Sequence, residues 1–337
     1  MNIVFILGNG FDMNLDMKTS YKNFYEEYLT TKSDNSIVSK FKNNIKVESD
    51  KWSNLESRLG EYTEDLNSLG ELEEIMQDVE DNLEVYLQKE EDKLKHSKVN
   101  KALLLNHFIF PEKLLAAKDK QDITLYKNRW VNESWQIDVI TFNYTKTLER
   151  LFENTYQNVN IGKFRTNNVS LRGIEHIHGY VDEMILGVND ESQIDNKTLI
   201  AEKYARNTII KSQRNQDLKH LIDEKCIRQI ASSQLICIFG SAIGKTDKLW
   251  WDLIGERLKQ DCYVIIFDIS DPEKVKGKLK FLRREEDILK DRFLSMTSLS
   301  EEEQEEFKSK VFVGLDTKMF KDIVTPVTKE ILETTTA

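Results

Sequence analysis

Asp138-Val139-Ile140-Thr141-Phe142-Asn143-Tyr144-Thr145 reads as a buried strand that runs directly into an amide. An asparagine costs stability inside a strand, because a buried amide must find hydrogen-bond partners. At a strand tip the same amide can serve a ligand. Three other stretches share the pattern. Glu175-His176-Ile177-His178-Gly179 puts an imidazole and a glycine at the next plausible tip. Ile3-Val4-Phe5-Ile6-Leu7 stops at Gly8-Asn9-Gly10-Phe11-Asp12, and Leu235-Ile236-Cys237-Ile238-Phe239 stops at Gly240-Ser241. Ligands of open parallel sheets bind outside the carboxyl ends of the strands. Four tips made of Gly, Asn, His or Ser therefore predict an α/β fold with one nucleotide-sized site.

The chain of 337 residues has room for one large domain with an insertion. Its net charge of -10 argues against broad, non-specific nucleic-acid binding, which needs a basic face. No apolar stretch reaches about 18 residues, so no membrane span is expected. The first apolar run lacks a basic n-region and leads straight into Gly8, so no secretory leader is expected. Three cysteines, with no C-x-x-C pair, read as reduced thiols in a cytoplasmic protein.

Spacing gives the organisation. Tyr21, Phe24, Tyr25 and Tyr28 form an aromatic stripe for packing. Leu55, Leu59 and Tyr62 repeat at helical spacing, and Leu72, Ile75, Met76, Val79, Leu83, Tyr86, Leu87 and Leu94 trace a long amphipathic helix. Residues 1–32 are thus expected to hold the first strand and helix of the core, and 33–130 a helical insertion. Residues 131–270 complete the core, and 271–337 form a charged helical C-terminal region. Within the core a strand is expected at Met184-Ile185-Leu186-Gly187-Val188, and a helical, loop-rich part over 199–232. A βαβ unit follows, with its strands at 235–239 and 263–268.

Each motif has a functional and a structural reading. The Gly8-Asn9-Gly10 turn, between strand and helix, suits a phosphate. Met13 stands where the dehydrogenase fingerprint needs a third glycine, and no P-loop lysine is found. Asn143 either contacts ribose hydroxyls and a water or caps the helix that follows. Thr141 and Asn9 are expected among the ligand contacts by position. His178 is a candidate general base, although a single histidine is more often structural. His176 and His178 would share one strand face, but no further ligands complete a metal site, and none is expected. Gly240-Ser241-Ala242-Ile243-Gly244 offers backbone N–H groups and a hydroxyl, and Asp247 fits an N-cap. Asp268 either reads an adenosine ribose or starts the Ser270-Asp271-Pro272 turn.

Taken in order, G-N-G-F-D with T-S-Y, W-S-N-L-E at Trp52-Ser53-Asn54-Leu55-Glu56, T-F-N-Y, H-I-H-G and G-S-x-x-G-x-T-D resemble the AbiH family of bacteriophage abortive-infection proteins. The set also looks like a distant version of the sirtuin NAD-binding fold of bacterial anti-phage NAD-degrading proteins. The resemblance runs from Met1 to about Asp268. It implies a sirtuin-like Rossmannoid parallel sheet in which Gly8 and Gly10 line the NAD phosphates. Asn143 would contact the nicotinamide ribose or the attacking water, His178 would be the base, and Gly240 and Ser241 would form the second nucleotide-binding turn. Paired zinc-ribbon cysteines are missing, and Lys18-Thr19-Ser20-Tyr21 replaces the sirtuin P-D-F-R segment, so peptide deacylation is not expected. Asp12 is a substitute nicotinamide contact by position alone. The implied protein is a cytoplasmic, homo-oligomeric anti-phage effector that hydrolyses its substrate NAD to nicotinamide and ADP-ribose. A phage-derived trigger or a partner defence protein would act on it. Two alternatives stay open: an NAD- or ADP-ribose-sensing module in a defence complex, and an enzyme acting on another nucleotide or on nucleic acid.

Overall fold

The computed structural model describes residues 1–269 and 279–326. Its strands are β1 (Asn2–Leu7), β2 (Ser97–Val99), β3 (Trp135–Thr141), β4 (Val159–Phe164), β5 (Asn167–His176), β6 (Gly179–Tyr180), β7 (Glu183–Met184), β8 (Leu235–Phe239), β9 (Tyr263–Asp268), β10 (Val311–Leu315) and β11 (Val324–Pro326). Seven of them form one sheet in the order β10-β9-β8-β1-β3-β5-β4. Every neighbouring pair is parallel except the β4–β5 hairpin.

β1 is central because it is apolar on both faces, as strands buried on both sides of a parallel sheet must be. Ile3, Phe5 and Leu7 join one core with Phe108, Ile123 and Val139. Val4 and Ile6 face the other side, against Trp251, Ile254 and Phe293. Leu7 pairs with Thr141 on one flank and Phe239 on the other. Three strands therefore end level, and Gly8, Phe142 and Gly240 leave the sheet along one edge. The chain builds outward from β1 in one direction through β3 and β5, then in the other through β8, β9 and β10. That reversal is the switch point where an open sheet presents its crevice.

The stretch 33–130 divides in two. The helices Ser36–Val47, Leu55–Tyr62 and Leu69–Asp92 pack with the helix Tyr21–Tyr28 around Phe41, Trp52 and Tyr62, in a core distinct from the two that flank the sheet and shared with residues 181–210. The helices Lys101–Ile109 and Ala117–Asn128 instead cover the sheet through Leu104, Phe108 and Ile123. Below them Lys127, fully buried, donates to Glu112 Oε2 at 2.6 Å and to the Ile109 carbonyl at 2.8 Å. The short β2 pairs with β11 in a separate ribbon.

Two expectations are corrected, and one hairpin was not foreseen. Of the run 184–188, only Met184 lies in a strand, the two-residue β7. The rest is buried loop, with Gly187 at φ +151° against the Ile209 backbone. Met184, Leu186 and Val188 join the core around Trp52 and Tyr62, and a short apolar run does not by itself distinguish strand from buried loop. The β4–β5 hairpin was not foreseen; its turn passes through Arg165 at φ +53°. The C-terminal region is not wholly helical. After the helices Leu279–Met296 and Glu301–Phe307 it adds β10 to the sheet edge. The Ser270-Asp271-Pro272 turn, residues 271–278 and residues 327–337 lie outside the described residues. Cys226, Cys237 and Cys262 are free and buried. Among the described residues, no helix is long and apolar enough to cross a membrane.

Candidate active site

A cleft of about 790 Å³ opens at the carboxyl edge of the sheet. Its rim is made by the two glycine turns, which interlock. Gly8 N donates to Phe239 O at 3.0 Å, and Gly10 N donates to Gly240 O at 2.8 Å. A Cβ on Gly10 would lie 2.5 Å from Gly240 Cα, and Gly240 itself sits at φ +67°. The glycines are thus required by turn-on-turn packing, whatever else they do.

Gly8, Asn9, Gly10, His178, Gly240, Ser241 and Asp268 all line this cleft. The side chain of Asn9 is tied to Thr19 through both its amide atoms. Ser241 Oγ accepts from Ile243 N at 3.2 Å. Asp268 accepts from Ile269 N and from Arg292 Nη2, the latter at 3.1 Å. Asp12, Thr141 and Asn143 are not among the lining residues. Thr141 Oγ1 donates to Leu7 O and accepts from Asn143 N, so it closes the strand end. The helix Thr147–Leu151 begins without a side-chain cap, so Asn143 does not cap it. Asn143 is 7% exposed, and its Oδ1 has no hydrogen-bond partner among the described residues.

Asp12 lies behind the first turn and is 1% exposed. Burial pushes its pKa up to about 6, against hydrogen bonds from Thr145, Thr147 and Asn143. An acid whose pKa is raised on folding stabilises the fold at low pH and loses that contribution as pH rises through the folded value. Over the interval from the ordinary 3.8 to about 6, the loss is on the order of 3 kcal/mol. Asp12→Asn is therefore expected to flatten the fall in stability between about pH 4 and 6. Urea midpoints across that range check it; an unchanged slope would mean another group titrates there.

The two histidines part company because β5 ends at His176 and the chain turns at Gly179, φ +73°. His176 lies between the Asn143 carbonyl and Glu149 Oε1, each 2.8 Å away. His178 turns into the cleft, where Phe142 stacks on its ring at 5.2 Å. Its Nε2 is 3.1 Å from Asp247 Oδ1. That same oxygen is 2.9 Å from Lys211 Nζ, which also reaches Glu56 Oε2 at 2.7 Å. Glu56 Oε1 accepts from Tyr144 OH at 3.2 Å. Burial alone would lift the Asp247 carboxyl, but Lys211 and then His178 outweigh it and hold it well below the carboxylate range. Burial would likewise lower Lys211, yet Asp247 and Glu56 raise it above the ordinary lysine value. An ion array this buried survives only because each charge has a partner.

Sequence reasoning passed over Glu56, Lys211 and Asp247. Asp247 had an ordinary explanation as an N-cap, but its side chain makes no cap. Glu56 ends the W-S-N-L-E motif, where Asn54 Oδ1 accepts from Ser57 N and starts the helix. Lys211 carried no signal. Glu56 and Lys211 are 155 positions apart, and neither periodicity nor spacing joins them.

The interlocked turns, His178, Glu56, Lys211 and Asp247 all fall inside one family match. The model described as bacteriophage abortive infection AbiH covers residues 4–268. The chain belongs to the AbiH family. That membership gives it a role in phage abortive infection. No curated protein matches the chain. The AbiH match ends at β9, so the helices Leu279–Met296 and Glu301–Phe307 and strand β10 lie outside the matched residues.

Proposed function

We propose that this protein is a cytoplasmic, homo-oligomeric abortive-infection effector with a sirtuin-like core that hydrolyses NAD to nicotinamide and ADP-ribose. The trigger would be phage-derived or a partner defence protein. One observation carries the chemistry: a single cleft at the switch point joins two backbone turns to a buried His178–Asp247 pair. The turns suit a diphosphate, and the histidine suits the removal of a proton. The ribose–nitrogen bond breaks first, through an oxocarbenium-like state, and its electron pair leaves with neutral nicotinamide. Water oxygen bonds to the ribose carbon while its proton passes to His178 and then to solvent. Asn143, outside the lining, contributes in this reading by fixing Asp12 behind the first turn.

Purified protein incubated with NAD is expected to release nicotinamide and ADP-ribose in equal amounts. NAD that stays intact would refute hydrolysis. The placement of Asn143 away from the cleft favours a second reading, a sensor that binds NAD or ADP-ribose without cleaving it. Calorimetric binding with no nicotinamide released would select that one.

A further inference from the structure

We propose that Asp247 is the positioning residue of His178: it accepts the Nε2 proton of the ring and so leaves Nδ1 as the basic nitrogen. This rests on the hydrolytic reading above for its consequence, but on local geometry for its content. Asp247 Oδ1 lies 3.1 Å from His178 Nε2 and 2.9 Å from Lys211 Nζ. An ammonium only donates, so Lys211 fixes this oxygen as an acceptor. Lys211 is itself held from the other side by Glu56 Oε2 at 2.7 Å. The longer approach of Lys211 to the ring, 3.3 Å, then brings together two donors that share one acceptor. A neutral imidazole that gives its Nε2 proton to a carboxylate keeps its lone pair on Nδ1. Phe142, stacked on the ring with planes 18° apart, limits rotation about the remaining bond.

The four residues come from four separate segments. His178 and Asp247 follow β5 and β8. Lys211 begins the helix Lys211–Asp217, and Glu56 lies in the helix Leu55–Tyr62 of the insertion. Asp247 stands at the start of the helix Lys248–Leu258 but does not cap it. A residue placed to cap a helix turns instead to an imidazole. In the reaction, Nδ1 takes the proton of the attacking water, and the resulting imidazolium faces the Asp247 carboxylate.

Ring-nitrogen NMR of ¹⁵N-histidine-labelled protein tests this without any turnover. Only five histidines contribute, and the His178→Ala spectrum identifies the signal. The expected wild-type ring carries a proton on Nε2 and a lone pair on Nδ1. Asp247→Ala removes the acceptor and leaves the Lys211 ammonium, which only donates, beside Nε2, so the proton should move to Nδ1. Nicotinamide release should then fall by about 10²–10⁴-fold, with Asp247→Glu recovering part of it. A wild-type proton on Nδ1, or an Asp247→Ala variant with unchanged tautomer and rate, overturns the proposal. A wild-type Nε2 proton in a protein that leaves NAD intact upholds the positioning and rejects the hydrolytic reading.

Discussion

His178→Ala is expected to slow nicotinamide release by about 10²–10⁴-fold while leaving the melting temperature nearly unchanged. The rate loss follows from removing an imidazole that lines the cleft. The small stability effect follows from what stays behind. Asp247 keeps Lys211, and Lys211 keeps Glu56, so no charge is left without a partner. The space vacated borders the open cleft and can fill with water. A truncation of this kind costs about 1 kcal/mol, within the ordinary range for point substitutions. Rate and melting temperature should be measured on the same preparations. A variant that melts normally and still depletes NAD would remove His178 from the chemistry. A variant that loses activity only by unfolding would make the ring a structural element.

The largest stability effect is expected at Lys127, far from the cleft. Its ammonium is fully buried and pairs with Glu112, itself 3% exposed. Burial lowers the lysine pKa, and Glu112 opposes that shift. The rings of Phe110, Trp135 and Phe164 surround the ammonium at 5.4, 5.6 and 5.0 Å from their centroids. Aromatic faces favour a cation but do not replace a counter-ion. Removing either partner leaves an uncompensated buried charge, which typically costs about 3–5 kcal/mol. Lys127→Met and Glu112→Leu should each destabilise the protein by that amount in urea titrations. The double variant should cost much less than their sum, because an apolar pair replaces the ion pair. Additive losses would show that the two side chains do not act as a pair.

How much of this was legible in the sequence depended on how local the cause was. β1, β3, β8 and β9 are buried on both faces, so each reads as an apolar run, and each run stops where the chain leaves the sheet. Gly240 was legible for the same reason: a positive φ beside a packed turn admits little else. β4 sits at the sheet's edge with only Ile161 and Phe164 buried and left a weak trace; β10 is as apolar and as buried as the central strands, and was passed over beside the charged helix before it. The site was half legible. The cleft collects the tips at Gly8, His178 and Gly240, but Asp12, Thr141 and Asn143 serve the layer behind it. Polar residues near a tip can face either way, and the pleat that decides between them is lost once the strand ends. Glu56, Lys211 and Asp247 meet only through tertiary packing, which no spacing rule reports.

The central position of β1 also bears on how the protein is made. β1 leaves the ribosome before the other strands of its sheet, yet its neighbours are β3 and β8, and Thr141 lies 134 positions beyond Leu7. At about 5–20 residues per second, the first partner arrives roughly 7–27 s later, and β8 later still. Through that interval a strand with five fully or largely buried apolar positions has no sheet to join. Pairings this distant in sequence form slowly and leave an aggregation-prone edge exposed. The helices of residues 36–92 are made in the meantime, and much of their core is their own. Co-translational chaperone contact is therefore expected to concentrate on the first strand, and to end when β3 is synthesised.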